Sequence, residues 1–217
     1  MENEKDAACK PILTGVLTKI LKEMRSLSDC ESVAIRLQKD GDYPYYVYEG
    51  FTGFFISKEN SLCVRDSEGR VALEEDGTPY LACMCGNILK GRFDPRFPFF
   101  TEEGCFWTNS TTRLLATPVV EERKLLSKIR GTCCKSGYES IALIPIQAEG
   151  RILGLIQLND PRENMFTLEA IKRYKLIADK VGTVVLNALE ISDGISLIED
   201  MINKYRASNE KDLSAQP

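Results

Sequence analysis

Residues 138–160 read YESIALIPIQAEGRILGLIQLND, from Tyr138 to Asp160. Two apolar runs, Ser140 to Ile146 and Arg151 to Leu158, flank the turn Ala148-Glu149-Gly150, which predicts an antiparallel strand pair. Both runs are apolar almost throughout, so each is expected at the centre of a sheet covered on both faces. Helices would cover one side and loops over a cavity the other.

Downstream of this pair, Thr167 can cap a helix in which Ala170, Tyr174, Ile177, Val181, Val184, Ala188, Ile191, Ile195, Ile198, Ile202 and Tyr205 step by four and three. An apolar repeat of this length exceeds what one small sheet can cover, so its distal half is expected to pack on a second helix or a second subunit. Upstream, Cys133-Cys134 sit between Gly131 and Gly137 in an expected loop, and Pro118 to Ile129 reads as a helix on the outside of the sheet. Further back, Phe93, Phe97, Phe99 and Phe100 mark an ordered, Pro-rich loop, and Cys85 to Gly91 a short helix ending at glycine.

Ser61 to Cys83 is punctuated by Asp66-Ser67-Glu68-Gly69 and Glu75-Asp76-Gly77, a small β excursion whose ends are expected to lie close together. Ser32 to Leu37 and Tyr43 to Tyr48 form an expected hairpin around Lys39-Asp40-Gly41-Asp42. Leu13, Leu17, Ile20, Met24 and Leu27 give a first helix over about residues 8 to 28 a narrow apolar seam. The domain reading is therefore an N-terminal helix over 1–28, a central domain over 29–190, a helical extension over 191–206 and a disordered tail over 207–217.

Composition limits the function. With 43% hydrophobic and 28% charged residues the chain holds enough apolar material for one core, and a net charge of −4 supplies no basic footprint for direct nucleic-acid binding. The first residues carry no signal-peptide pattern and no run of about 18 apolar residues follows, which predicts a cytoplasmic protein with no membrane association. Histidine is absent, so the usual general base is missing and any transition-metal site must be rich in thiolate. Eight cysteines in a reducing compartment are expected as core residues, reactive thiols or metal ligands rather than disulfides.

The segment Tyr138 to Asp160, with Cys83-Met84-Cys85-Gly86, Pro98-Phe99-Phe100-Thr101-Glu102 and Trp107-Thr108-Asn109-Ser110-Thr111-Thr112, resembles a cysteine-bearing subgroup of GAF domains. Such domains occur in prokaryotic signalling proteins, often beside PAS and histidine-kinase modules. The resemblance spans about residues 30 to 190. It implies an α+β, PAS-like fold: a central antiparallel sheet with helices on one face and a ligand pocket under loops on the other; the apolar seams of the N- and C-terminal helices add the expectation of a homodimer in which they form a helical bundle. It also implies a regulator rather than an enzyme, and cysteines at the positions of Cys63, Cys83, Cys85 and Cys133. No kinase or DNA-binding module follows the last helix, so the output is expected to be a partner, a histidine kinase or a regulator, unless the chain is a piece of a longer protein.

Two candidate sites follow. Turns at Gly69 and Gly77 can return Cys63 towards Cys83, and the loop at Gly131 to Gly137 lets Cys133 approach, with Cys134 as its substitute. Convergence of Cys63, Cys83, Cys85 and Cys133 would suit Zn²⁺ or an Fe–S cluster, with thiolate-held haem or redox-active thiols as alternatives and inert buried cysteines as the plain reading. The dipole of the short helix is expected to favour the Cys85 thiolate. Phe100, Trp107, Asn109, Ser110 and Thr111 are expected around a small polar or anionic ligand, Trp107 as an apolar wall and the rest as hydrogen-bond partners; the plain reading makes Trp107 a core residue. The enzymatic alternative is a GAF-fold thiol enzyme of the free methionine sulfoxide reductase type.

Overall fold

The computed structural model describes residues 9–116 and 129–214. The expected helix over Pro118 to Leu126 lies outside them. Five strands, β1 (Ser32–Leu37), β2 (Tyr45–Glu49), β3 (Phe106–Thr108), β4 (Ser140–Ala148) and β5 (Arg151–Asp160), form one antiparallel sheet in the order β2-β1-β5-β4-β3. The expected central hairpin is present: β4 and β5 pair from Ser140↔Asp160 to Ala148↔Arg151. Glu149 and Gly150 close it with φ of 50° and 73°, the conformation that a two-residue turn between twisted strands requires. Strand β1 pairs with β5 from Ser32↔Asn159 to Leu37↔Gly154, so the two apolar strands are indeed central.

Two helices cover one face. α1 (Cys9–Ser28) places Leu17, Leu21 and Met24 against Val33, Ile35, Ala142, Ile144, Ile156 and Leu158, while Leu27 of the expected seam is 58% exposed. The last helix runs Leu168–Ser214, into the segment that the sequence reading assigns to a tail, and Thr167 caps it by accepting from the Ala170 N–H. Its sheet-facing residues are Ile171, Tyr174, Ala178, Val181 and Val185. Most of these stand beside rather than on the expected stripe, because the sheet selects a face one residue away from Ala170, Ile177 and Val184. Beyond the sheet, Leu189, Ile191, Leu197, Ile198 and Met201 are exposed; the side chains of Ile195, Ile202 and Tyr205 lie outside the described ones. Gly182 permits the close approach: a Cβ there would stand 2.0 Å from the Gln147 carbonyl oxygen of β4.

The other face carries short helices: α2 (Gly53–Glu59), α3 (Cys83–Leu89), α4 (Thr111–Leu115) and α5 (Thr132–Lys135), which makes the long last helix α6. α2 has no counterpart in the sequence reading; its Thr52 cap accepts from the Phe55 N–H. The β excursion closes as expected, through the bridges Arg65↔Val71, Leu73↔Pro79 and Cys63↔Leu81. Phe51, Phe55, Leu62, Leu81, Ile88, Phe99, Phe100 and Phe106 pack against Ala34, Ile141, Leu143 and Leu155 to form a second, more aromatic core. No described helix is long and apolar enough to cross a membrane.

Candidate functional site

The second face holds the chemistry. Cys83, Cys85, Cys133 and Cys134 line one small cavity of about 50 Å³, together with Met84, Phe106, Thr111, Ile129, Ile141 and Leu143. Two segments far apart in sequence meet here. Cys83 opens α3 in a left-handed conformation, φ 69°, and Cys133 and Cys134 sit on α5, a four-residue helix set between Gly131 and Gly137, whose φ values are 71° and 83°. Cys85 is buried, while Cys83, Cys133 and Cys134 are half-buried.

Burial disfavours the thiolates of Cys83, Cys85 and Cys133. Burial pushes Cys85 up to about 12, with the nearby Cys83 adding to the effect and Arg36 opposing it. Burial also raises Cys133, and Cys83 and Cys85 raise it further. Cys83 is raised by burial too, against opposition from Arg130. The expected dipole-favoured thiolate at Cys85 is thus corrected: a seven-residue helix contributes too little to offset desolvation.

Cys63 does not join them. Its register opposite Leu81 leaves it at the base of the β excursion beside Asp42, whose carboxylate adds to the raising effect of burial on the thiol, and it is not among the cavity's lining residues. The expected four-sulfur convergence is therefore reduced to Cys83, Cys85 and Cys133, with Cys134 at the same cavity. Among the described residues no three Cys, Asp or Glu side chains stand at a spacing that already holds a metal ion.

The polar run after Trp107 has other employment. Trp107 pairs with Ala142 and so faces the helix-covered side, where its half-buried ring packs on the helix-side core and its Nε1 has no hydrogen-bond partner. Asn109 clamps Phe166, donating to its carbonyl at 2.8 Å and accepting from its N–H at 2.9 Å. Ser110 caps α4 and donates to Glu139, and Thr111 Oγ1 donates to the Tyr138 carbonyl at 2.7 Å. Phe100 is packed among Phe93, Phe99 and Phe106. Trp107, Asn109 and Ser110 line an open groove of about 520 Å³ at the β3 edge, and only Thr111 of the run reaches the cysteine cavity.

The sequence reading missed a buried polar chain on the cavity face. Arg36, 1% exposed, lies with its guanidinium 3.5 Å from the Tyr45 ring centroid and donates to the carbonyls of Tyr43, Glu59 and Asn60. Gln157 Oε1 accepts from Arg36 Nε at 3.4 Å and from the Tyr45 hydroxyl at 3.1 Å. Gln157 Nε2 in turn donates to Asn159 Oδ1 at 3.0 Å. Gln157 and Asn159, polar residues at alternate positions of one otherwise apolar strand and so on one face, and Arg36 inside a second apolar strand, are the signal that could have found them. Close by, Glu59 is buried and paired with Arg130, whose guanidinium also holds the carbonyls of Ser61 and Leu62.

No curated protein matches the chain. Among solved structures it is similar to the GAF domain of a phosphoenolpyruvate-protein phosphotransferase from Coxiella burnetii, with a TM-score of 0.54 and 12% identity over 83% of this chain and 86% of that one. It is similar also to a type II free methionine-R-sulfoxide reductase from Thermoplasma acidophilum, with a TM-score of 0.53 and 11% identity over 82% and 94%. A GAF domain/HD domain protein from Geobacter sulfurreducens aligns with a TM-score of 0.51 and 11% identity over 82% and 94%. At these identities the likeness is one of fold. The sequence model of the GAF domain matches residues 13–185, most of the chain, and with the sheet, the flanking helices and the second-face cavity in place the chain belongs to the GAF domain family.

Proposed function

We propose that the chain is the sensory module of a signalling protein, taking its input as a soft metal ion or cluster at Cys83, Cys85 and Cys133 and passing the change out through α1 and α6. The observation that carries this reading is the meeting of four cysteines, Cys83, Cys85, Cys133 and Cys134, from two distant segments at one cavity on the sheet face opposite the helices. Each thiolate is opposed by burial, and those of Cys85 and Cys133 also by the neighbouring sulfurs; a cation among them relieves both penalties as the protons leave. Because no three ligands are already set at ligating distance, loading requires α5, swung between Gly131 and Gly137, to close on α3. Such a closure couples metal occupancy to the packing of this face. Zn²⁺ or an Fe–S cluster suits sulfur ligands.

For the output, the exposed Leu189, Ile191, Leu197, Ile198 and Met201 on α6 favour pairing with the same helix of a second copy, a homodimer whose bundle addresses a histidine kinase or another regulator. Burial raises the Cys83, Cys85 and Cys133 thiols, which disfavours the nucleophilic thiolate that a thiol enzyme of the reductase type needs. Purification without oxygen, followed by metal and labile-sulfide analysis and an absorption spectrum, tests the reading. It expects one ion or cluster per chain, lost in Cys133→Ser. A protein that is metal-free and takes up neither Zn²⁺ nor iron and sulfide, or that turns over free methionine sulfoxide with a thiol reductant, overturns it.

A further inference from the structure

A groove of about 810 Å³ opens where α6 passes the end of the sheet. Its lining is apolar at Leu13 of α1, Leu153 of β5 and Val185 of α6, and cationic at Lys10 of α1, Lys39 of the β1–β2 turn and Arg151 at the start of β5. The three cations are exposed, and Asp40 is the one carboxylate that lines the groove. Among the described residues no ion pair or side-chain hydrogen bond holds any of the three. The groove therefore offers an apolar surface under a positive field, with charges free to meet carboxylates from outside.

The same chain carries the complement. From Val181 to Asn203 the sequence of α6 holds Glu190, Asp193, Glu199 and Asp200 and no lysine or arginine. Beyond Ser192, the last residue of α6 to line the groove, Leu197, Ile198 and Met201 are exposed at helical spacings of three and four that set them on one stripe. Because α6 runs unbroken to Ser214, these residues cannot turn back into the groove of their own chain. Gly194 stands between wall and stripe. Glycine inside a helix is destabilising relative to alanine, and Gly182 is explained by its approach to the β4 backbone. A Cβ at Gly194 would meet nothing within 4 Å among the described residues, so packing within the chain does not call for glycine there. A second helix crossing at that point does.

We propose that the groove docks residues 193–203 of α6 from a second copy of the chain, the two helices crossing antiparallel at Gly194 so that each copy fills the groove of the other. A two-fold axis at Gly194 sets residues 187–191 of one copy, which include the groove residues Ala188 and Leu189, opposite residues 197–201 of the second, and the reverse. The apolar stripe then meets the apolar lining, and the acidic segment meets Lys10, Lys39 and Arg151. The proposal rests on the reading of a homodimer through α6 and adds to it an orientation and a recognition chemistry. Since α1, β5 and α6 all line the groove, a shift of either helix on the sheet changes the contact between copies.

Sedimentation of the full chain over a dilution series, with thermal melts to confirm that each variant is folded, tests it. Lys39→Glu with Arg151→Glu reverses the groove, and Glu199→Lys with Asp200→Lys reverses the segment. The expected result is a dimer about 10- to 100-fold weaker in either pair, regained when both pairs are combined in one chain, and a wild-type dimer that weakens as salt rises. Orientation is read by mild oxidation: Ile191→Cys mixed with Leu197→Cys is expected to form a disulfide between the unlike chains, and neither variant to do so alone. A wild-type chain that stays monomeric defeats the homodimer reading, and this proposal with it. A wild-type dimer that is untouched by either pair, that is weakened by both without rescue in the combination, or that cross-links only between like chains leaves the homodimer standing and overturns the groove as its docking site.

Discussion

The two faces of the sheet differ in kind. On the helix side, Ile35, Ala142, Ile144, Ile156 and Leu158 meet Leu17, Leu21, Ile171, Ala178 and Val181 in a layer that also buries Cys30 and Cys105, whose thiols burial raises to about 11 and about 12. On the cavity side the strands interleave Ala34, Leu143 and Leu155 with Arg36, Gln157 and Asn159, and the covering elements are short helices bearing four thiols at one cavity. Apolar burial contributes about 25 cal/mol per Å² wherever it occurs, whereas a buried guanidinium and two buried amides cost free energy unless every group is bonded. A sheet built only for stability would carry aliphatic residues on both faces. One face therefore supplies the stability and the other spends part of it on a polar, sulfur-lined interior, the usual position of a site within a fold.

Substitutions should separate the faces, beginning with the largest effect. Ile156→Ala, in the middle of the helix-side layer, is expected to lower unfolding free energy by about 2–5 kcal/mol without altering metal uptake, as measured by denaturant melts and metal analysis. Gly182→Ala drives a Cβ to 2.0 Å from the Gln147 oxygen and should cost about 1–3 kcal/mol as α6 lifts from β4. The reverse pattern is expected on the other face: Cys133→Ser changes the metal-free melt by about 1 kcal/mol or less but removes the stabilisation by metal, which reaches about 2.7 kcal/mol at one hundred times Kd. Equal metal-dependent shifts in wild type and Cys133→Ser would erase the distinction.

A smaller effect belongs to the end of β5. Asp160, 0% exposed, accepts from the N–H groups of Glu31 and Arg162 and from the Arg162 side chain. Burial works to raise its carboxyl, yet these bonds outweigh it and hold the pKa below the ordinary carboxylate range. The folded value being the lower one, this stabilisation is complete above the unfolded pKa of about 3.9 and is lost as pH falls through the folded value. Acid melts of wild type and Asp160→Asn should therefore converge below about pH 4. The smallest effect on unfolding is expected from Ile191→Asp or Leu197→Asp on the exposed stripe of α6: within about 0.5 kcal/mol in stability, but with loss of the proposed homodimer in light scattering.

The helix-side face was largely legible in the sequence and the cavity side only in part, for a physical reason. Period-two and heptad patterns report which residues meet a large apolar surface, so the β4–β5 hairpin, α1 and the start of α6 could be placed. Sites depend on register and on non-local closure, which leave no period. That Trp107 would face the helices follows from its pairing with Ala142, and that Cys63 would stop short of the other sulfurs follows from its pairing with Leu81. Neither partner is readable from local sequence. The approach of Cys133 to Cys83 was legible because thiols without any histidine confine the chemistry to few positions, and because Gly131 and Gly137 mark a loop free of strand constraints. Arg36, Gln157 and Asn159 were passed over because each is flanked by aliphatic residues that dominate the pattern.

The central claim, that Cys83, Cys85 and Cys133 and not Cys63 form the input site, is tested most directly by anaerobic Co²⁺ titration of single Cys→Ser variants, read by the sulfur-to-cobalt charge-transfer band. One ion per chain is expected in wild type and in Cys63→Ser, with the band abolished or strongly weakened in Cys83→Ser, Cys85→Ser and Cys133→Ser. A band that disappears in Cys63→Ser, or that survives in all three of the others, would contradict the account.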